Sequence, residues 1–130
     1  MRLLIILCFC LVFISCSVKV KKVDLLGVWD YVQIENLNRQ SEDSTTVQDL
    51  ELAKPYIEFK SNNQVQIVWN GSVLSSGTYR TDKNMIRYRE NLPEGKIREF
   101  PFLVSRLSAT KIIFETMTRE GTRVTAIKRK

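Results

Sequence analysis

The residue types that carry out most enzyme chemistry are scarce or badly placed in this chain. There is no histidine among its 130 residues, which excludes a Ser-His-Asp triad, a Cys-His dyad and imidazole ligation of a metal. The cysteines Cys8, Cys10 and Cys16 all precede the part that could fold, so that part has no disulfide, thiol nucleophile or zinc-thiolate site. We therefore expect a protein that is not an enzyme and uses no metal and no cofactor.

Charged side chains offer weaker possibilities. The spacing of Glu58, Asp82, Glu90 and Glu99 singles out no carboxylate pair for acid-base work. Guanidinium groups bind phosphates and carboxylates through paired hydrogen bonds, so an arginine cluster could hold lipid head groups or an acidic partner, or could be a solvated face. Arginines fall on three successive predicted strands, at Arg80, Arg87, Arg89, Arg98 and Arg106.

The N-terminal residues indicate export. Met1-Arg2 supplies a positive charge, and the stretch from Leu3 to Ile14 is apolar without interruption. A membrane-spanning helix needs about 20 apolar residues, so this stretch suits the core of a signal peptide. Phe13-Ile14-Ser15-Cys16 then resembles the lipobox of bacterial lipoproteins, although that pattern prefers Leu and a small residue where Phe13 and Ile14 stand.

The lipobox resemblance implies that residues 1–15 are a signal peptide and that Cys16 carries palmitate and related acyl chains. The alternative is an ordinary secretory signal, in which Cys16 is not acylated. Ser17 in place of aspartate after the cysteine implies delivery to the outer membrane of the cell envelope. The membrane is then a partner through the N-terminal lipid, and nucleic acid is not expected.

Residues 16–24 are predicted to form the lipidated N-terminus and a flexible tether. Its lysines, Lys19, Lys21 and Lys22, would gain modestly from an anionic membrane surface, or they could simply solvate a spacer. The whole chain has a formal charge of +6, which suits acidic partners or anionic lipids, or serves solubility alone.

Residues 25–130 are predicted to form one all-β domain. Alternating apolar residues between turn signals such as Asn70-Gly71 indicate eight short strands. A helix is expected at Val47–Ala53, capped by Thr45 or Thr46 and ended by Pro55. Tight turns between successive strands favour an antiparallel up-and-down barrel. The predicted strands are Val28–Ile34, Tyr56–Lys60, Gln64–Trp69, Ser72–Arg80, Met85–Glu90, Ile97–Leu107, Lys111–Thr118 and Thr122–Arg129.

Two residues predict irregularities in these strands. Gly77 interrupts the fourth strand and is consistent with a sharp bend. Pro101 lies within the sixth strand and cannot donate a ladder hydrogen bond, which predicts a bulge or an open edge.

On these residues the chain resembles the short lipocalin-like domains of bacterial lipoproteins. Gly27-Val28-Trp29 matches the Gly-x-Trp motif that opens the first lipocalin strand, and Gly77-Thr78-Tyr79 and the closing residues 126–129 support the match. The resemblance implies an eight-stranded barrel in which Trp29 packs at the closed end. A basic residue of the last strand would lie across it, with Arg129 the first choice and Arg123 the second. Gly27, Trp29 and Arg129 are thus expected as fold markers.

The predicted barrel interior is the place for a ligand. Its aromatic walls suit a small apolar or amphipathic molecule, and a long loop, Asn36 to Lys54, could act as a lid or be an ordinary loop. Alternatively, side chains fill the barrel, and it acts as a scaffold, assembly component or inhibitor for an envelope protein. The candidate ligand-binding residues are Tyr31, Phe59, Ile67, Trp69, Tyr79, Tyr88 and Phe114, and the other predicted interior residues are Trp29, Ile57, Val65, Ile86 and Ile112.

Overall fold

Eight antiparallel strands, each hydrogen-bonded to the next along the chain, form a barrel that closes when the first strand pairs with the last. The computed structural model describes residues 18–37, 47–117 and 121–130. Helix α1 (Lys22–Leu25) precedes the barrel, and helix α2 (Val47–Ala53) lies in the first long connection. The predicted barrel and its one loop helix are confirmed. The strands are β1 (Gly27–Asn36), β2 (Tyr56–Phe59), β3 (Gln64–Trp69), β4 (Ser72–Asp82), β5 (Met85–Asn91), β6 (Ile97–Leu107), β7 (Lys111–Thr116) and β8 (Thr122–Lys128).

The seventh strand ends at Thr116, two residues before the predicted Thr118. The predictions that fall outside the described ranges include the signal peptide, the acylation of Cys16, and the helix caps Thr45 and Thr46. Residues 38–46 of the suggested lid also lie outside. All of these stay predictions.

The register of the strands gives the barrel two distinct ends. At one end lie the start of β1, the end of β8 and the turns β2–β3, β4–β5 and β6–β7; at the other lie α2 and the remaining turns. We call the first the closed end, residues 18–29, 60–64, 82–85, 107–111 and 128–130. We call the second the mouth end, residues 34–37, 47–56, 69–75, 90–98, 114–117 and 121–124.

Inward-facing side chains fill the interior from the closed end to the middle of the barrel. Alternate residues of each strand point inward, and the apolar ones here pack without solvent contact. Such packing contributes most of the stability of a small domain. Side chains exposed by no more than 2% are Trp29, Ile57, Phe59, Val65, Ile86, Tyr88, Phe102, Val104, Ile112, Phe114 and Ala126.

The segment before β1 seals the closed end. Val20 and Leu25 are buried in the same core cluster as Trp29, and the Val20 amide donates a hydrogen bond to the Lys83 carbonyl at 2.8 Å. The Trp29 indole nitrogen donates to the Leu25 carbonyl at 2.8 Å. The expectation of a flexible tether is therefore wrong for residues 18–24, because two apolar side chains in and beside it bury themselves in the barrel.

Gly77 and Pro101 each mark a specific feature of the sheet, and for Pro101 it is the second of the two predicted alternatives, an open edge. A Cβ on Gly77 would lie 1.9 Å from the Arg89 carbonyl oxygen, so glycine is needed for the close approach of β4 and β5. Pro101 remains in register with β5, and a bulge there is wrong. Its carbonyl accepts a hydrogen bond from the Met117 amide at 3.2 Å. Because the described β6–β7 ladder ends at Phe102, the missing N–H of Pro101 falls at the ladder's edge.

Candidate functional site

The part of the interior above Phe102 and Ile112, which we call the mouth half, contains three inward-facing side chains that are less completely buried than those below. Ile34, Ile67 and Phe100 pack against the core cluster but stay partly exposed, whereas Phe102 and Ile112, deeper in the barrel, are 1% and 0% exposed. A concave surface of partly exposed apolar side chains is typical of ligand sites in barrels. The upper interior is therefore the candidate site.

An aromatic wall forms the middle of this interior. The Tyr88 ring stacks on Phe102 with centroids 5.4 Å apart and meets Phe100 edge to face at 5.3 Å. Phe102 lies 5.0 Å from Phe114, and Phe114 meets Tyr31 edge to face at 6.3 Å. Aromatic pairs of this kind stabilise the packed interior, and of these five rings Phe100 and Tyr31 are the two that stay partly exposed.

A polar cluster borders the aromatic wall on strands β4, β5 and β6. Glu90 is only 8% exposed, and its carboxylate accepts hydrogen bonds from the Ser75 hydroxyl and from Nη2 of Arg98, the latter at 2.6 Å. The Ser75 and Tyr88 hydroxyls share a hydrogen bond of 2.5 Å. The Arg98 guanidinium lies 5.0 Å from the Phe100 ring centroid, and its side chain is 56% exposed. The cluster thus offers an exposed cationic donor beside an apolar wall.

The tyrosines of the interior are held in their neutral form. Burial raises the pKa of Tyr31 above its ordinary value, and the nearby Tyr88 phenol adds to the rise. Burial also raises the pKa of Tyr88, with a further contribution from Glu90, while the Ser75 hydrogen bond and Arg98 oppose it. Burial alone raises the pKa of Tyr79. These phenols act at neutral pH as hydrogen-bonding groups on an apolar body.

Four of the seven predicted ligand-binding residues come together in the mouth half of the interior: Tyr31, Ile67, Tyr88 and Phe114. Phe59 and Tyr79 also face inward, but they pack edge to face on each other at 5.0 Å toward the closed end. The Tyr79 hydroxyl donates to the Lys60 carbonyl at 3.1 Å. Phe59 and Tyr79 therefore belong to the filled half and lie away from the candidate site.

Trp69 does not join the core cluster. It is partly exposed and lines a shallow groove of about 360 Å³ with Asp49, Leu52 and Ala53 of α2 and with Asn70. A register shift between β3 and β4 falls at Ile67 and Val68, immediately before Trp69. The residue that the shift skips is Leu74 of β4, since Ile67 pairs with Ser75 and Val68 pairs with Val73. Trp69 is the last residue of β3 and lies at the rim of the barrel beside α2.

Residues of β6 were missed by the sequence reasoning. Phe100, Phe102 and Val104 alternate inward along β6, and the same period of two that identified the other strands could have found them. Glu90 and Arg98 face each other across the β5–β6 hairpin, whereas the sequence predicted no role for Glu90 and placed Arg98 in an arginine cluster or on a solvated face. Their pairing depends on a register that the sequence alone did not specify.

The basic residue beside Trp29 is Lys128, and the expectation of Arg129 is wrong. Lys128 pairs with Trp29 in the β1–β8 ladder, and its Nζ lies 5.2 Å from the indole centroid. Because side chains alternate, Arg129 falls on the outer face, where its Nε donates to Asp30 at 3.1 Å and its guanidinium lies 4.6 Å from the Tyr56 ring.

The second choice for that position, Arg123, is also elsewhere. It bonds Glu115 at 2.9 Å and Glu35 at 3.2 Å toward the mouth end. Gly27 is the remaining fold marker, and its φ of 122° is one that other residues rarely adopt. A Cβ there would lie 3.1 Å from Cε of Lys128, so glycine leaves room for the lysine over the tryptophan.

The other predicted arginines lie on the outer wall. Arg80, Arg87 and Arg89 line an external groove of about 480 Å³ across β4, β5 and β6. Arg87 pairs with Asp82 at 3.1 Å, and Arg89 lies 3.8 Å from Glu99. Arg106 is also exposed. Exposed pairs of this kind contribute little to stability. The groove also borders Tyr88 and Phe100 of the candidate site.

The architecture is that of the lipocalin-like barrels. A solved structure of a lipocalin-like protein from Bacteroides uniformis ATCC 8492 matches with a TM-score of 0.54 and 18% sequence identity, over 82% of this chain and 99% of that one. A redesigned β-barrel matches with a TM-score of 0.47 and 16% identity, over 88% and 98% of the two chains. No family model matches, and no curated protein matches. The likeness to the Bacteroides protein supports the fold alone.

Among the described residues, no helix has the length and apolar character needed to cross a membrane.

Proposed function

We propose that this chain is a lipid-anchored envelope protein, a binding module rather than an enzyme, that holds a small apolar or amphipathic molecule at the mouth end. The observation that carries the proposal is the set of inward-facing but partly exposed side chains Ile34, Ile67 and Phe100. They lie on the same interior surface as the buried carboxylate of Glu90 and the exposed guanidinium of Arg98.

The arrangement favours an amphipathic ligand of limited size. Phe102 and Val104 are each 1% exposed, so the packed half below them leaves room only in the mouth half. Phe100 and Tyr31 supply apolar surface, while Arg98 uses one nitrogen on Glu90 and has further N–H donors for a polar or anionic group. A short acyl chain with a polar head fits this combination.

Anchoring would come from Cys16. The signal-like N-terminus and the lipobox resemblance support removal of residues 1–15 and acylation of Cys16, and Ser17 supports sorting to the outer membrane. Two or more acyl chains give stable membrane attachment.

Native mass spectrometry of the protein purified from its own envelope tests the binding proposal. We expect a retained small molecule in the wild type and its loss in Phe100→Ala. Leu107→Ala is the matched control, because Leu107 is also a partly buried neighbour of the core but lies at the closed end. Absence of any retained molecule, or equal loss in both variants, would contradict binding at the mouth end.

A second candidate function is interaction with an envelope protein. It is favoured by exposed apolar side chains that gather at the mouth end, since large exposed apolar patches mark interaction sites. Cross-linking in intact envelopes from a label at Ser72, which is exposed at this end, would then yield one defined protein adduct while native mass spectrometry finds no small molecule. The side chains concerned are Leu37, Leu52, Val73, Leu74, Ile97 and Met117.

A further inference from the structure

We propose that the closed end is a cationic surface that lies on an anionic membrane, so that the mouth end faces away from the bilayer. The inference rests on the proposed function, because the anchor at Cys16 would bring the closed end to the bilayer. Lysines distributed over the closed end would then contact the anionic head groups. Only three of these lysines belong to the N-terminal segment.

Basic side chains reach the closed end from every part of the sequence. Strand ends and turns that are far apart in the chain all contribute, so the cluster is a property of the fold. Those in or next to the closed end are Lys19, Lys21, Lys22, Lys60, Lys83, Arg106, Lys111, Lys128, Arg129 and Lys130.

Most of these lysines are available to an external anion. Within the described ranges, no salt bridge involves Lys19, Lys60, Lys83 or Lys111. Lys22 differs, because its ammonium donates at 2.6 Å to the Ser61 carbonyl and to the Asn63 side chain. Lysine carries a compact charge on a flexible stem and interacts with phosphate as a point charge.

The carboxylates near this end are few and largely engaged. Asp82 pairs with Arg87 at 3.1 Å, and Asp30 pairs with Arg129. Glu58 accepts a hydrogen bond from Gln66 at 3.0 Å, and Asp24 is exposed.

The described residues of the mouth end have the opposite charge balance to those of the closed end. Among them the cations are fewer than the carboxylates, so the barrel is electrically polar along its axis. The carboxylates are Glu35, Asp49, Glu51, Glu90, Glu94 and Glu115, and the cations are Lys54, Lys96, Arg98 and Arg123.

The path of the chain places the anchor at the same end. Val18 and Lys19 line grooves with Lys83 and Asn84 on one side and with residues 107–109 on the other. Cys16 is two residues before Val18, and two residues extend at most about 7 Å. An acylated Cys16 would therefore hold the closed end within reach of the lipid head groups, where anionic lipids attract nearby lysines.

Position-specific fluorescence quenching tests this orientation. The full chain, expressed in cells that process it and purified from their membranes, is reconstituted in vesicles of phosphatidylcholine with or without phosphatidylglycerol. A fluorophore is attached at Ala109→Cys at the closed end or at Ser72→Cys at the mouth end, both exposed sites. Lipids with nitroxide head groups serve as quenchers, and the mass of each protein shows independently whether residues 1–15 are gone and Cys16 is acylated.

We expect the label at position 109 to be quenched more than the label at position 72. Phosphatidylglycerol should increase the difference, and added salt should reduce it. The closed-end double variant, Lys83→Gln with Lys111→Gln, should also reduce the difference in quenching. The mouth-end double variant, Lys54→Gln with Lys96→Gln, removes the same charge from the other end and should leave the difference unchanged. Equal quenching at both sites, no effect of phosphatidylglycerol, or equal effects of the two double variants would overturn the inference even when the anchor is present.

If the mass shows no acylation, the anchor fails, and flotation of the same protein with phosphatidylglycerol vesicles tests the lysine surface alone. The closed-end double variant should then bind the vesicles at least about tenfold more weakly than the wild type does. The mouth-end double variant should bind them as tightly as the wild type. Equal binding of the two double variants, or no binding by the wild type, would overturn the cationic surface.

Discussion

The closed end and the mouth end of this barrel are built from the same eight strands but differ in packing, polarity and charge. At the closed end, the chain's own segment 18–25 covers Trp29, which is 0% exposed. At the mouth end, Phe100 and Ile67 face the interior yet keep contact with solvent. We therefore expect the closed end to contribute more stability, and the partly exposed side chains are those that the proposed ligand would contact.

The buried polar groups show the same division. The Trp29 indole at the closed end uses its single donor on the Leu25 carbonyl. At the mouth end, Glu90, Ser75 and Arg98 form a connected cluster that is exposed on the side of Arg98. A satisfied buried group stabilises the fold, whereas a partly exposed cluster can exchange a partner for a ligand.

The largest difference is expected from the two tryptophans. Trp29→Ala should lower the free energy of unfolding by about 3–5 kcal/mol, because it removes a fully buried side chain and its hydrogen bond. Trp69→Ala should cost less than about half as much, since Trp69 is partly exposed beside α2. Denaturant unfolding measures both. Equal losses would contradict the concentration of stability at the closed end.

Gly27 should show a smaller effect at the same end. Gly27→Ala is expected to lower the free energy of unfolding by about 1–3 kcal/mol. Alanine disfavours the positive φ, and its Cβ would make a close steric contact with Lys128 above Trp29. Gly71→Ala in the β3–β4 turn also has a positive φ, but a Cβ there would meet nothing within 4 Å. Thermal unfolding should therefore show the larger shift for Gly27, and a larger shift for Gly71 would refute the packing argument.

The mouth-end ion pair should contribute less. Glu90→Gln is expected to lower the free energy of unfolding by about 1 kcal/mol, because the hydrogen bond from Arg98 loses its charge assistance while solvent screens the exposed arginine. Glu99→Gln is the control, since Glu99 pairs with Arg89 on the outside of the same two strands and should change stability by less than about 0.5 kcal/mol. Chemical denaturation distinguishes the variants, and an effect of Glu99→Gln as large as that of Glu90→Gln would count against the cluster.

The smallest effect is a dependence on alkaline pH. The folded state raises the pKa of Tyr31, so the unfolded chain loses this proton first as the pH passes the ordinary tyrosine value of 10.0. The unfolded state then binds fewer protons than the folded state, and stability falls with rising pH. The contribution is complete at neutral pH and decreases above pH 10.0. Tyr31→Phe should make that decrease shallower in denaturant titrations, and an unchanged slope would contradict burial of the phenol.

The sequence predicted the architecture because strands and turns leave local signals. Alternation identified the strands, and Asn70-Gly71 forms the predicted two-residue turn, with φ values of 54° and 78°. Helix α2 occupies the predicted residues Val47–Ala53. These features depend on neighbours in the chain, which a single sequence contains.

The candidate site was less predictable because it depends on register. The position of Trp69 depends on α2, which lies beside the last residue of β3, and the cluster of Glu90 with Arg98 exists only through the β5–β6 pairing. The prediction of Arg129 over Trp29 misses the observed Lys128 by one residue of register. A shift of one residue exchanges the inner and outer faces of a strand.

Hydrogen exchange tests the division between the two ends most directly. The protein purified from its own envelope is compared with the same protein after unfolding and refolding have removed any bound molecule. The account predicts faster exchange after removal in residues 72–77, 88–91 and 97–100 of the mouth half, with residues 20–29 and 107–112 of the closed end unchanged. No difference between the two preparations, or a difference located at the closed end, would contradict a ligand site at the mouth.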